Sequence, residues 1–338
     1  MGDKMGNIIF DTRWIGEHGI GRFAKELFKI DGSFLPIKLT GNPASKFDVL
    51  KLTIYRLANR KDYFFSPGYS APLFFLDKTF ITVHDLNHID VQYNSSWPKK
   101  VYYKLVLKRA CKKSKVIFTV SNFTKERIVQ WSGRDSKDIV VVGNGVSQEF
   151  NSEVEPYVSD SQYILMVGNR KQHKNEKKGV EAFLKSSAGS NIKLLMTGES
   201  SADITNLVNE YNASDRVLFL GKVDENTLAS LYKGAICLFF PSLYEGFGLP
   251  IIESMACGTP VITSNITALP EVTGDAGLYV DPYDLQSMIN GINKMISDSK
   301  LRTELSERGL IQVRKYSWDM TRSKISLVLN KYNKKVIV

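Results

Sequence analysis

The chain has 338 residues, 43% of them hydrophobic and 24% charged, with a formal net charge of +10. That length is generous for one core and suits two domains, in the composition of a soluble globular protein. No apolar run approaches the ~18–20 residues of a membrane span, and three scattered cysteines (Cys111, Cys237, Cys257) exclude a disulfide framework.

Met1–Asn7 leads straight into an apolar strand, so no signal peptide is expected, and Gly6 stands where a myristoylation signal wants Ser or Thr. A cytoplasmic location follows. Apolar runs then alternate with helix-period segments, as in an α/β chain with parallel sheets. In the first half, Asn7–Phe10, Tyr63–Ser66, Thr79–Val83, Val116–Val120 and Ile139–Val142 read as strands. Gly21–Phe28, Pro98–Lys112 and Asn122–Trp131 read as helices. The glycines at 16, 19 and 21 open the first helix but lack the dinucleotide G-x-G-x-x-G order. His84 ends an apolar strand, where ligands of open α/β sheets bind, and Asp85 is placed to fix its tautomer. Ser121 and Asn122 follow the next strand in the same way.

Charge is uneven. Residues 1–155 hold 24 Lys and Arg against 16 Asp and Glu, a balance of +8, which leaves +2 for the rest. Eight basic residues and no acidic one fall within Lys99–Lys115. Lys100, Lys104 and Lys108 interleave there with Val101, Leu105 and Leu107 at helical spacing. This predicts either a solvated helix face or one drawn to anionic lipid or a phosphorylated substrate. No nucleic-acid motif accompanies the charge.

Gly143–Val146 and the polar Ser147–Ser161 mark the boundary between a first domain, 1–148, and a second, 160–316. The amphipathic Ser317–Tyr332 is expected to pack back across it, taking 317–338 to the first domain. Strands are predicted at Tyr163–Val167, Ile192–Thr197, Val217–Leu220, Ile236–Phe240 and Val261–Thr263. Helices are predicted at Asn175–Lys185, Ala202–Tyr211, Glu225–Lys233, Pro250–Cys257, Leu285–Ser297 and Leu301–Val313. Two such series suggest two Rossmann-like domains facing each other across a cleft.

In the second domain, Gly168-Asn169-Arg170-Lys171 and Lys174-Asn175 follow a strand, and cations beside exposed amides suit a diphosphate. Glu245-Gly246-Phe247-Gly248 then forms the loop from a buried strand to a helix that starts near Leu249 and carries Glu253. A helix N-terminus favours phosphate, and the two carboxylates can accept hydrogen bonds from sugar hydroxyls. No D-x-D triplet and no His/Cys cluster with metal-ligand spacing occurs.

Together these residues resemble the retaining nucleotide-sugar glycosyltransferases of the family 4 type, with the two-Rossmann GT-B fold. The likeness rests on an ordered series over roughly residues 7–320: His84-Asp85, Asn144-Gly145-Val146, Gly168 with Lys174-Asn175, Phe219–Gly221, Glu245–Pro250 with Glu253, Cys257–Val261 and Leu269–Val272. It implies that Glu253 holds the ribose hydroxyls and that Glu245 faces the donor sugar. Gly246–Leu249 amides would touch the sugar and phosphate, and Lys174 would neutralise the diphosphate beside Gly168 and Asn169. Arg170 stands one place away from the family's usual arginine. His84 would lie near the transferred sugar, with Gly19, Gly21, Arg22 and Ser121 on the phosphate and acceptor side. No cofactor or metal is implied.

The stretch Phe10–Phe23, with Val167–Lys171 and Lys174-Asn175, is most similar to bacterial mannosyltransferases of surface-polysaccharide assembly. That implies GDP-mannose, a lipid-diphosphate-linked saccharide acceptor and a peripheral position on the inner membrane face. Donors carrying UDP or dTDP, a nucleotide-sugar epimerase, and a basic membrane- or nucleic-acid-binding protein remain the alternatives.

Overall fold

A computed structural model of the chain describes residues 7–30, 32, 34–91 and 97–332; Met1–Gly6 and positions 333–338 of the expected C-terminal segment lie outside the described residues. The chain divides into two compact units, Met1–Gly145 with Trp318–Val338, and Val146–Ser317.

The first unit is built on a parallel six-stranded sheet in the order β2-β1-β3-β4-β5-β6. Its elements are β1 (Ile8–Phe10), α1 (Gly19–Phe28), β2 (Phe34–Pro36), α2 (Asp48–Ala58), β3 (Tyr63–Ser66), β4 (Thr79–Val83), α3 (Asn87–Asp90), α4 (Trp97–Tyr102), α5 (Lys108–Lys113), β5 (Val116–Thr119), α6 (Asn122–Ser132) and β6 (Ile139–Val141). Strands β4 and β5 are buried at every position, as a sheet covered on both faces requires, whereas edge strand β2 is largely exposed. One core layer gathers Ile81, Val83, Leu107, Cys111 and Ile128, the other Ile9, Leu52 and Phe64.

The second unit carries β7 (Gln162–Met166), α7 (Glu176–Lys185), β8 (Ile192–Met196), α8 (Ala202–Glu210), β9 (Val217–Phe219), α9 (Glu225–Gly234), β10 (Cys237–Phe240), α10 (Leu249–Ala256), β11 (Val261–Ser264), α11 (Leu269–Thr273), β12 (Gly277–Val280), α12 (Leu285–Ser297) and α13 (Ser299–Gln312). Its sheet order, β12-β11-β10-β7-β8-β9, is again parallel and reverses direction between β7 and β10. Ligands of such sheets bind at that reversal, beyond the strands' C-terminal ends. Helix α14 (Trp318–Leu329) returns to the first unit. There Trp318 packs edge-on to Phe23, and Arg322 pairs with Glu26 at 2.7 Å.

Several elements depart from the sequence expectation. β2, α2, α3, α11 and β12 were not foreseen: the two strands have three and four residues, α3 and α11 four and five, and α2 is apolar on most of its circumference. The helix expected over Pro98–Lys112 contains a π-helical turn at Tyr103–Leu107. Leu107 is buried but Leu105 is 62% exposed, so the expected alternation of lysines with a buried apolar face fails at Leu105.

Candidate active site

The loops that diverge after β7 and β10 bring most of the second unit's candidate residues together. After Met166 the chain turns at Gly168, where a Cβ would lie 2.3 Å from Glu176 Oε1. Glu176, the buried first residue of α7, accepts the Arg170 amide on Oε2 at 2.8 Å and the Arg170 guanidinium on Oε1. That guanidinium also donates to the carbonyls of Glu199 (2.7 Å), Thr197 (2.7 Å) and Gly198 (3.1 Å). Arg170 was expected to be a second cation for a diphosphate; here it ties its own loop, in the left-handed region at φ 59°, to Glu176 and to the loop after β8. Burial raises the Glu176 pKa, and the charge and hydrogen bonds of Arg170 oppose that rise. Asn169 is exposed.

Lys174 points the other way. Its Nζ lies 2.7 Å from Glu245 Oε1 and 5.0 Å from the Phe240 ring centroid. Two further bonds fasten the loops: Leu243 N–H to His173 O at 2.7 Å, and Asn175 Nδ2 to Pro241 O at 3.1 Å. Gly248 caps α10 at φ 103°, a conformation open to glycine, and its Cβ would meet Leu269 Cδ2 at 2.9 Å. The N-terminal end of α10, with its partial positive charge, therefore opens beside the Lys174–Glu245 pair. Phe247 is buried edge-on to Tyr316, and Gly246 and Leu249 complete the turn. One turn into α10, Glu253 is 3% exposed and accepts a hydrogen bond from the fully buried Tyr232 of α9 at 3.0 Å.

In the first unit His84 follows β4 and is buried, edge-on to Phe23 at 4.8 Å. Its Nε2 is 2.8 Å from Pro67 O, so a backbone carbonyl fixes the tautomer with the proton on Nε2. Asp85 does not fix it, contrary to the sequence expectation; its carboxylate accepts from Asn87 N–H at 3.0 Å. Gly19 opens α1, whose N-cap His18 accepts the Gly21 amide on Nδ1 at 3.0 Å. Gly21 is needed there because a Cβ would lie 2.4 Å from Gly16 O. Arg22 is half-buried in the same turn. Ser121 is buried and caps α6, accepting from Thr124 N–H at 3.1 Å.

Family models match in each unit: "Glycosyl transferases group 1" matches residues 147–311, and "Glycosyltransferase Family 4" matches residues 62–150. The chain is 30% identical over 283 residues to the O-antigen chain mannosyltransferase B of Escherichia coli, covering 78% of this chain and 73% of that one. The chain belongs to the group 1, family 4 glycosyltransferases. A second relative, the O-antigen chain mannosyltransferase RfbU of Salmonella typhimurium, is 34% identical over 220 residues, 64% of this chain and 60% of its own. The fold is shared with sucrose-phosphate synthase from Thermosynechococcus elongatus at a TM-score of 0.76 and 19% identity, over 96% and 98% of the two chains. The architecture is thus the GT-B fold.

Sequence reasoning about this glycosyltransferase missed two residues of the second unit. Tyr232 gave no signal beyond an aromatic on a helix, and Glu176 gave only an acid at the first helical position. Gly168→Ala tests the Glu176 contact: crowding the carboxylate off Arg170 should cost about 1–3 kcal/mol, read as a lower urea midpoint. The first unit also holds a buried network that no motif announced. Arg13 pairs with Asp11 at 2.7 Å and Asp48 at 2.6 Å, and Ser70 donates to Asp11 at 2.8 Å.

Burial pushes the His84 pKa of the glycosyltransferase down to about 4, so the ring is neutral at neutral pH. Because the folded value lies below that of the unfolded chain, His84's contribution to stability is complete above about pH 6.5. It is lost as pH falls towards about 4, by about 3 kcal/mol in all. His84→Asn should flatten the urea midpoint across that window.

Proposed function

We propose that the chain is a retaining, metal-independent hexosyltransferase that moves mannose from GDP-mannose to a lipid-diphosphate-linked saccharide in bacterial surface-polysaccharide assembly. The observation that carries the mannose assignment is the 30% identity, along 78% of this chain, to an O-antigen chain mannosyltransferase. Lys174 and the amide end of α10 take the diphosphate, Glu245 takes the sugar, and Glu253, oriented by Tyr232, takes the ribose. Gly168, Asn169 and Gly246–Leu249 shape the donor seat, and Arg170 keeps the Gly168 turn in place. In the first unit, His84 offers the transferred sugar the ring nitrogen that Pro67 does not use. Gly19, Gly21 and Arg22 serve the phosphate and acceptor side, with Ser121 acting through the start of α6.

The bond between the anomeric carbon and the diphosphate oxygen breaks while the acceptor oxygen bonds to the same face of that carbon. The acceptor proton passes to the departing diphosphate, so no carboxylate pair is required for acid–base work. The protein supplies position and a cation where negative charge develops. Membrane proximity is supported by Lys99, Lys100, Lys104, Lys112 and Lys113, which are all exposed, and no described helix is long and apolar enough to cross a bilayer. Calorimetric titration with GDP-mannose, UDP-glucose and dTDP-rhamnose tests the donor. GDP-mannose should bind tightest; heat from UDP-glucose with none from GDP-mannose overturns the assignment.

A further inference from the structure

Helix α2 carries an apolar stripe that its own unit does not cover. Phe47, at its N-cap, is 70% exposed, and Leu50, Ile54 and Leu57 are 52%, 68% and 51% exposed. Their spacing places all four on one helix face, while Asp48, Leu52, Thr53 and Arg56 are buried on the other. Contiguous exposed apolar surface rimmed by polar residues is a feature of interaction sites.

The charge beside the stripe has one sign. Residues 38–61 contain Lys38, Lys46, Lys51, Arg56, Arg60 and Lys61 against a single acid, Asp48. Asp48 is buried against Arg13, and the Arg56 guanidinium is turned inward to Asn59 O and Asp62 O. The exposed charges of the segment are therefore the five cations Lys38, Lys46, Lys51, Arg60 and Lys61. The neighbouring loop extends the surface. Leu73 N–H donates to Thr53 Oγ1 of α2 at 2.9 Å, and Leu73 O accepts from Arg109 of α5. Phe74, next in the chain, is 55% exposed, with Asp77 the one acid of that loop.

We propose that α2 lies in the interfacial region of an anionic bilayer, with Phe47, Leu50, Ile54 and Leu57 among the acyl chains and the flanking lysines on lipid phosphates. A single-signed cationic fringe around an apolar stripe fits such a surface, since the stems can lie along apolar groups while the ammonium heads reach phosphate. The inference rests on the membrane-face reading above and sharpens it: the inserting element is α2, and the lysines of α4 and α5 add attraction beside it.

The test is co-sedimentation of the full chain, without donor, on phosphatidylglycerol/phosphatidylcholine vesicles and on phosphatidylcholine vesicles. Wild type should sediment with the anionic vesicles only. Leu50→Ser/Ile54→Ser should lower the partition coefficient by about tenfold or more, and Lys46→Glu/Lys51→Glu should lower it further at low salt than at high salt. An unchanged far-UV circular dichroism spectrum and urea unfolding transition of these variants show that they fold. Three results would overturn the proposal: wild type that ignores anionic vesicles, α2 variants that partition like wild type, or a stripe substitution that changes the mass measured by light scattering instead. Failure of wild type to bind any nucleotide-sugar would sink the donor reading and leave the sedimentation result to stand alone.

Discussion

Lys174→Met is expected to lower kcat by about 10²- to 10³-fold, the loss of ~2.7–4 kcal/mol that follows removal of one preorganised group facing a developing negative charge. The expectation follows from the role proposed for Lys174. The side chain reaches across from the β7–α7 loop to lie 2.7 Å from Glu245, with side-chain exposures of only 16% and 13% for the two partners. The loops carrying them are fastened by the Leu243–His173 backbone bond, so Nζ is held where the strand order reverses. Charge on the departing diphosphate grows as the bond to the sugar breaks. The cation is therefore worth more in the transition state than in the bound donor, and kcat should fall more than the donor KM rises. Steady-state kinetics at saturating donor measure this. A rise confined to KM would mean that Lys174 contributes only ground-state binding. Lys174→Arg, which keeps the charge but not the compact ammonium, should recover part of the loss.

Glu253→Ala is expected to raise the donor dissociation constant by roughly 100-fold. Hydrogen bonds to a charged group contribute about 1.5–3 kcal/mol each, and about 1.4 kcal/mol corresponds to tenfold. Here the pattern should reverse: the ribose is remote from the reacting carbon, so KM should rise while kcat changes little. Tyr232→Phe separates orientation from contact. It leaves the carboxylate in place and removes the hydroxyl that now lies 3.0 Å from Oε2. Its effect on donor affinity should be smaller than that of Glu253→Ala and in the same direction. Calorimetry with GDP and with GDP-mannose reads both variants. Equal affinity of wild type and Glu253→Ala for GDP would remove Glu253 from the nucleotide site.

What the sequence could reveal depended on how locally each feature is encoded. The parallel strands were legible because they are short apolar runs bounded by turns; β3 and β4 fall at the predicted residues. Helix α2 was not, since its exposed face carries the apolar Phe47, Leu50, Ile54 and Leu57 while Asp48, Thr53 and Arg56 are buried beside Leu52, the reverse of the usual amphipathic pattern. Its N-cap, Phe47, also supplies no side-chain cap. The Glu245 loop and Lys174 stand out in the sequence as motif residues, but their mutual contact joins positions far apart in the chain. Arg170 shows the limit most clearly. A cation after a glycine turn reads as a phosphate ligand, and only the fold reveals Glu176 and three carbonyls around it. The His84 tautomer was likewise beyond reach, because Pro67 O comes from a different strand end.

The most direct test is the anomeric configuration of the product. The full chain would be incubated with GDP-mannose and a lipid-diphosphate-linked saccharide, and the new linkage examined by NMR. An α-mannosyl product, matching the α-linkage of the donor and formed equally well in the presence of EDTA, is the predicted result. A β-linked product, or free mannose with no acceptor modified, would contradict the account.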